Sequence, residues 1–218
     1  MTKVVLIRHG RSTANADGVL AGRAPGVALD EVGRAQAVAL RDGFDGVAIA
    51  TAYTSPIQRC RETAELAGFP GAAVLDGVSE CHYGDWTGAK LSDLADTDLW
   101  RDIQTTPSSV SFPGGESMHD MFERTVAAIR EVAGRHGDGD TVVVFSHGDP
   151  IKAILADALG MARDDFQRVN VSPAGVSIVD YRGDRPLVVC VNGGTDLRGL
   201  LGASVAPVVG GGDVAAGG

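Results

Sequence analysis

The sequence predicts an α/β protein: a three-layer α/β/α sandwich on a mostly parallel central sheet, with a small inserted cap. Three observations predict it. Short apolar runs alternate along the chain with segments of helical periodicity, the order that yields a parallel sheet covered by helices on both faces. The strongest runs, VVLI at 4–7 and TVVVF at 141–145, are continuous rather than alternating, as strands buried on both faces are. Both runs stop in the same way, in RHG and SHG, so each delivers a histidine followed by a glycine at its carboxyl end.

The elements follow in order. Val4–Ile7 opens the sheet, and DEVGRAQAVALRDGF supplies a helix with Asp30 as N-cap and Gly43 as its stop. A small-residue strand is expected over Val47–Tyr53. The next helix is expected to begin at Pro56, whose missing N–H costs nothing at the first helical position, with Ser55 as its cap. A short strand over Ala73–Leu75 leads into SECHYGDWTG. From Leu91 to Pro113 the periodicity weakens into short polar pieces, the candidate cap (about 85–116). A long helix, Ser117 to Arg135, places Phe122, Val126, Ile129 and Val132 on one face. The strand TVVVFSH, a helix over Pro150–Leu159, and the strands VSIVDY and PLVVCVN complete one domain over 1–198. Residues 199–218 read as a flexible tail rich in Gly, Ala and Val, with no function derived for it.

The chain has 218 residues, 44% hydrophobic and 22% charged, with a net charge of −9. Its pI near 4.9 argues against general binding to nucleic acid, whose phosphates repel an acidic surface. Three cysteines, Cys60, Cys81 and Cys190, lack CxxC spacing and read as free thiols of a cytoplasmic protein. Arg8 follows only four apolar residues, which is too short a run for a signal peptide or a membrane span. His147 and Asp149 form an HxD half-site with no further ligand at suitable spacing, so neither a metal nor a cofactor is expected.

Ligands of parallel sheets bind beyond the carboxyl ends of the strands. If the strands ending in RHG and SHG are neighbours, His9 and His147 face one site. Arg8 adjoins His9, and Arg59 sits one turn into the helix of YTSPIQRCRETA, directed at the same edge. Here the sequence resembles the histidine phosphatase superfamily, the phosphoglycerate mutase-like proteins. The matching stretches are LIRHGRSTAN, LDEVGRAQA, YTSPIQRCRETA, ECHYGDWTG, FPGGES and SHGDPIK, in the family's order from about Lys3 to Leu159.

The resemblance implies that His9 is the phosphorylated nucleophile, that Arg8, Arg59 and His147 bind the phosphoryl group, that Glu80 is the proton donor, and that Asn15 is a supporting phosphate ligand. These residue types suit the chemistry, because in-line phosphoryl transfer spreads charge over three equatorial oxygens. Guanidinium forks and an imidazole are donors that can be aimed at it. Further substrate-binding candidates are Ser12, Gly22, Arg23, Tyr83 and Gly148. Ser12 either bonds phosphate or caps a turn, and Gly22 and Arg23 lie in a loop that touches substrate in relatives, although a plain surface arginine is the slightly favoured reading of Arg23. Gly10 and Gly148 are expected to leave room for the phosphate. Arg11 either adds charge to the mouth of the pocket or is solvated. His82 is a further candidate pocket residue, Trp86 is expected to pack under the cap, and His119 and His136 are expected to be solvated.

The family contains phosphatases and mutases. Mutases typically carry a longer insertion with paired arginines after the YG motif. Here that region is acidic, with only Lys90 and Arg101 as cations. A metal-independent phosphomonoester hydrolase acting on a small phosphorylated metabolite is therefore expected. A cofactor-dependent phosphomutase is the alternative, and an inactive phosphate-binding protein comes third. A homodimer is a further expectation, because dimers are common among relatives.

Overall fold

A computed structural model describes residues 2–183, 185–195 and 197–202. Six strands form one sheet in the order β3-β2-β4-β1-β5-β6. They are β1 (Thr2–Arg8), β2 (Thr51–Thr54), β3 (Ala73–Val74), β4 (Thr141–Ser146), β5 (Val176–Tyr181) and β6 (Leu187–Gly193). The pairs β1–β4, β2–β4 and β2–β3 are parallel, while β5 runs antiparallel to both β1 and β6.

Side chains alternate across this sheet, so each central strand feeds two cores. Val4 and Leu6 of β1 and Val142 and Val144 of β4 face α6 (Met118–Arg135) and α7 (Gly148–Ala158), meeting Ile129, Val132, Ile151 and Leu155. Val5, Ile7, Val143 and Phe145 face the other way, onto α2 (Glu31–Gly43) and α3 (Gln58–Leu66), where they meet Leu40, Phe44, Cys60 and Ala64. Full burial of each such aliphatic side chain contributes roughly 1.5–3 kcal/mol. That anchorage fixes where β1 and β4 end.

A third cluster lies outside the sheet, under the segment between Gly84 and Ser117. It is built from Tyr83, Ile103, Phe112, Met121 and Phe166, among others. The segment contains α4 (Leu91–Leu94), α5 (Asp98–Thr105) and 3-10 turns at Gly84–Trp86 and Pro107–Ser109. The remaining helices are α1 (Thr13–Ala16) and α8 (Leu197–Gly202).

Several boundaries differ from the sequence expectation. The strand expected over Val47–Tyr53 starts at Thr51, because Val47 N–H donates to Phe44 C=O and closes the turn after α2. The expected helix start at Pro56 moves to Gln58, with Ile57 as N-cap and no side-chain cap. Helix α7 starts at Gly148 rather than Pro150, with His147 itself in the N-cap position. Asp30 caps α2 as expected, accepting from Gly33 N–H, and Ser117, expected as the first residue of the long helix, is instead the N-cap of α6, accepting from Asp120 N–H. The expected tail at 199–218 begins inside a helix instead: α8 runs to Gly202, with Leu197 buried and Leu200 and Leu201 packed against the α2–α3 core. The rest of that expectation, 203–218, lies outside the described residues.

Candidate active site

The parallel register of β1 and β4 pairs Arg8 with Ser146, so His9 and His147 stand side by side one residue beyond. His9 N–H donates to Ser146 C=O at 2.9 Å, and the two imidazole centroids are 5.2 Å apart. Both rings are buried.

Arg59 ties the rings together. It is 2% exposed; its Nε donates to His9 Nε2 at 3.1 Å, and one terminal nitrogen lies 3.1 Å from His147 Nδ1 and 2.8 Å from Gly22 C=O. Burial, then the positive fields of Arg59 and Arg8, hold the His9 imidazole well below its usual range. His9 is therefore neutral near pH 7. Its Nδ1 is 2.7 Å from Gly10 C=O, which can only accept, so the proton sits on Nδ1 and the lone pair on Nε2. His147 is held neutral in the same way, by burial and then by Arg59. Its Nδ1 accepts from Arg59, which leaves Nε2–H for Ser55 Oγ at 2.8 Å.

Arg8 donates one terminal N–H to Val171 C=O at 2.6 Å. Arg8 Nε and Arg59 Nη1 are buried with no hydrogen-bond partner in the protein. An unpaired buried donor typically costs about 1–3 kcal/mol. Both guanidiniums line the cavity and bring positive charge to its sheet end.

Glu80 faces the same cavity and accepts from Cys81 N–H at 3.0 Å. Burial first, and the nearby Asp149 second, push its carboxyl up to about 7. The cavity, about 350 Å³, is lined by Arg8, His9, Arg59, Glu80 and Tyr83 on its sheet side. Ser12, Asn15, Gly22 and Gly148 also reach it. Ser12 caps α1: its Oγ accepts from Asn15 N–H, while Asn15 Oδ1 accepts from Ser12 N–H. The capping box uses Asn15 Oδ1 and leaves its amide Nδ2 as the donor available to the cavity.

Other expectations are corrected. Arg23 does not line the cavity. Its Nε donates to Glu80 C=O at 2.8 Å, and a terminal nitrogen pairs with Glu116 at 2.9 Å, so it supports the loop that carries Glu80 from behind. Arg11 is neither a pocket residue nor simply solvated: it pairs with Asp30 at 2.6 Å, at the head of α2. Gly10 is required by packing and not by phosphate, since a Cβ there would stand 2.4 Å from Gly33 C=O of α2. Gly148 does adjoin the guanidinium of Arg8. Ser55 does not cap α3; its hydroxyl accepts from Ile57 N–H and holds His147. His82 is exposed and outside the cavity lining, whereas Trp86 both lines the cavity and packs on Phe112. His136 is covered and bonded to Tyr53 Oη at 3.0 Å, whereas His119 is exposed as expected, with Arg163 beside it.

Two residues of this machinery were not singled out from the sequence. Glu116, in FPGGES, accepts from both Arg23 and Arg124 and from His82 N–H. Arg124, nearly two turns into α6, donates to the carbonyls of Gly77, Ser79 and Glu80. Together they clamp the backbone that carries Glu80. The signal was available in the glutamate of FPGGES and an arginine eight residues on, but its meaning depends on the loop's fold. Cys60 was also missed as a neighbour of the site: its Sγ lies 3.4 Å from His147 Nε2. Burial pushes that thiol up to about 12, so it remains protonated. Among the described residues, no group of three or more His, Cys, Asp or Glu is placed to hold a metal ion.

Comparison with known proteins agrees with this arrangement. Residues 4–193 match the family model for the histidine phosphatase superfamily (branch 1). Phosphoserine phosphatase 1 of Hydrogenobacter thermophilus is 29% identical over 88% of this chain and 92% of its own length. A 2,3-bisphosphoglycerate-dependent phosphoglycerate mutase 2 of Gloeobacter violaceus is also 29% identical, over 78% of this chain and 82% of its own. Among solved structures, Bacillus stearothermophilus YhfR superposes with a TM-score of 0.79 at 26% identity, covering 86% of this chain and 95% of that one.

Proposed function

The chain belongs to branch 1 of the histidine phosphatase superfamily, and from that premise we propose that it hydrolyses phosphate monoesters through a phosphohistidine at His9. The observation that carries the reading is the pair of buried, unpartnered guanidinium donors on Arg8 and Arg59, next to a neutral imidazole whose lone pair is on Nε2.

The phosphoryl group enters against Arg8 and Arg59. Its dianion raises the affinity of His147 for a proton, and once Arg59 turns from His147 Nδ1 to the phosphate that ring becomes a third donor. His9 Nε2 attacks phosphorus as the bond to the ester oxygen breaks, and protonated Glu80 gives its proton to the departing oxygen. The alcohol leaves. His9 keeps its Nδ1 proton, donated to Gly10 C=O, which spreads the positive charge of the phosphorylated ring. Ionised Glu80 then takes a proton from water, the hydroxide oxygen bonds to phosphorus, and the electrons of the P–N bond return to Nε2. Inorganic phosphate leaves and Glu80 is again protonated. A carboxyl with a pKa near 7 can serve in both steps at neutral pH.

Water rather than a second phosphorylated substrate is proposed as the acceptor, because the cap side of the cavity offers little cationic grip. Lys152 is the sole cation lining it beyond the phosphate end among the described residues, and it already contacts Asp149 at 3.6 Å and Gln167 at 2.9 Å. The three cysteines are free, which supports the cytoplasm as the place of action. Among the described residues, no helix is long and apolar enough to cross a membrane. The test is steady-state release of phosphate from an aryl phosphate in the presence of a chelator, with His9→Ala as control. Conversion of 3-phosphoglycerate dependent on added 2,3-bisphosphoglycerate, without net phosphate release, would replace the hydrolase by a mutase.

A further inference from the structure

Beyond the phosphate end, the cavity walls change character. Leu20, Trp86, Leu91, Trp100, Ile103 and Phe112 line it, supplied by the loop after α1, the 3-10 turn at Gly84–Trp86, the short helices α4 and α5, and the segment after the 3-10 turn at Pro107–Ser109. The indoles of Trp86 and Trp100 stack with centroids 6.5 Å apart and planes inclined by 26°, and Phe112 meets Trp86 edge-on at 5.6 Å. Leu91 is 37% exposed and both tryptophans are partly so, which makes this an open apolar wall and not a closed core. Apolar surface held open beside a reactive centre is a mark of ligand recognition.

Charge complementarity points the same way. Apart from Arg8, His9 and Arg59, the charged side chains lining the cavity are Glu80, Asp149 and Lys152. Asp149 accepts from Tyr83 Oη at 2.8 Å and lies beside Lys152, which also bonds Gln167 and sits over the Phe166 ring. Asp149 and Lys152 are matched to each other, while Glu80 accepts from Cys81 N–H and makes no ion pair among the described residues. Lys90 and Arg101, the cations of the cap, do not line the cavity, and Arg101 pairs with Asp98. A carboxylate or second phosphate on the leaving group would meet two acids and no unpaired cation.

Resting on the hydrolase reading, we propose that the preferred substrates are monophosphate esters of uncharged, largely apolar, ring-bearing alcohols, seated against Trp86, Trp100 and Leu91. Amino-acid, phosphoglycerate and bisphosphate esters are disfavoured. The ring takes the place of water on the tryptophan faces, while Gln104, Gln167 and Asn170, which also line the cavity, offer amide groups to any hydroxyl or carbonyl on the far side of the alcohol.

The experiment separates this claim from the hydrolase reading by measuring binding as well as turnover. By calorimetry, 3-phenylpropylphosphonate, which mimics 2-phenylethyl phosphate, is compared with 2-amino-4-phosphonobutyrate, which mimics phosphoserine. The expected result is at least tenfold tighter binding of the phenyl compound. Trp100→Ala and the surface variant Leu91→Ser should each reduce that ratio severalfold, with the affinity for methylphosphonate unchanged. Hydrolysis of 2-phenylethyl phosphate and phosphoserine, whose leaving groups are both aliphatic alcohols, should show the same preference, mainly in KM. Equal or tighter binding of the amino-acid phosphonate, or equal losses for all three ligands in both variants, would overturn the proposal. Selective binding of the phenyl compound without hydrolysis of any ester would keep the specificity and overturn the hydrolase.

Discussion

The two ends of the cavity differ in how they are held. At the sheet end, Arg59 is 2% exposed and engages His9, His147 and Gly22 through a single guanidinium. At the cap end, Leu91 is 37% exposed, and the helices that carry the wall are 4 and 8 residues long. The sheet end hangs from strands whose side chains are packed on both faces, so the positions of His9 and His147 are fixed by burial that long precedes any substrate. The cap end hangs from a separate small core around Phe112 and Ile103. The difference separates two tasks: holding a phosphoryl group in line for attack demands rigid aim, whereas accommodating an alcohol demands a surface. Changes at the sheet end should therefore damage turnover of every substrate alike, and changes at the cap end should re-rank substrates.

The largest expected effect is at His9. His9→Ala should lower kcat by roughly 10⁴-fold or more on all esters, since it removes the imidazole that takes the phosphoryl group; steady-state assays on an aryl and an alkyl phosphate check this. A loss confined to one ester would break the division of labour.

Glu80→Gln comes next. With an alkyl leaving group kcat should fall about 10²–10⁴-fold, with a smaller loss in the first step for a nitrophenyl ester, whose phenolate departs without a proton. The pH dependence follows from the raised carboxyl. Below pH 7 Glu80 is protonated and ready to act as acid, so kcat/KM for alkyl esters should decline above about pH 7 in the wild type and not in the variant. Stability also falls as pH rises, but over a lower window. The unfolded chain ionises Glu80 from about pH 4.5, while the folded protein keeps it neutral up to about 7. The wild type thus loses stability across that window and stays destabilised above it. Glu80→Gln should raise Tm at pH 8 and leave it unchanged at pH 4, a difference on the order of 3 kcal/mol in free energy.

Glu116 sharpens the comparison, because it lies outside the cavity and acts on the sheet end from behind. Arg124 and Arg23 both grip the Glu80 carbonyl, and Glu116 joins them. Glu116→Gln should reduce kcat about tenfold and displace the alkaline limb of the pH profile, with KM nearly constant. Rescue by Glu116→Asp would be partial, since the shorter side chain cannot span both arginines. If kcat falls without any change in the pH profile, the clamp holds the fold and not the acid.

The smallest effect is expected at Arg11. Its ion pair with Asp30 is half-exposed and outside the cavity, so Arg11→Glu should leave KM unchanged on any phosphate ester and cost at most about 1 kcal/mol of stability. A substantial rise in KM would place Arg11 back at the pocket mouth.

The sheet end was largely legible in the sequence. His9 and His147 each close a continuous apolar run, and both the strand signal and the histidine position survive folding because parallel strands pair in register. Arg59 and Glu80 were legible through motif order. Support from the second layer was not. Arg23 reads as a substrate residue on a loop, yet a turn with Gly22 at φ +49° swings its side chain behind Glu80. Ser55 before a proline reads as a helix cap, and only the backbone bond from Ser55 N–H to Phe145 C=O shows that the turn is stretched and its hydroxyl is given to His147. The cap's apolar wall was hidden for a different reason. Val19, Leu20, Trp86, Leu91 and Trp100 come from four separate short pieces, none long enough to display a period.

The most direct test of the account is to trap the phosphoenzyme. Rapid mixing with labelled aryl phosphate, quenching in denaturant at alkaline pH and peptide mapping should give up to one acid-labile phosphate per chain, on His9, formed at least as fast as turnover. In Glu80→Gln the label should persist longer, because the carboxylate that activates water is gone; in His9→Ala it should be absent. Turnover at wild-type rate with no label on His9, or label on any other residue, would contradict the account.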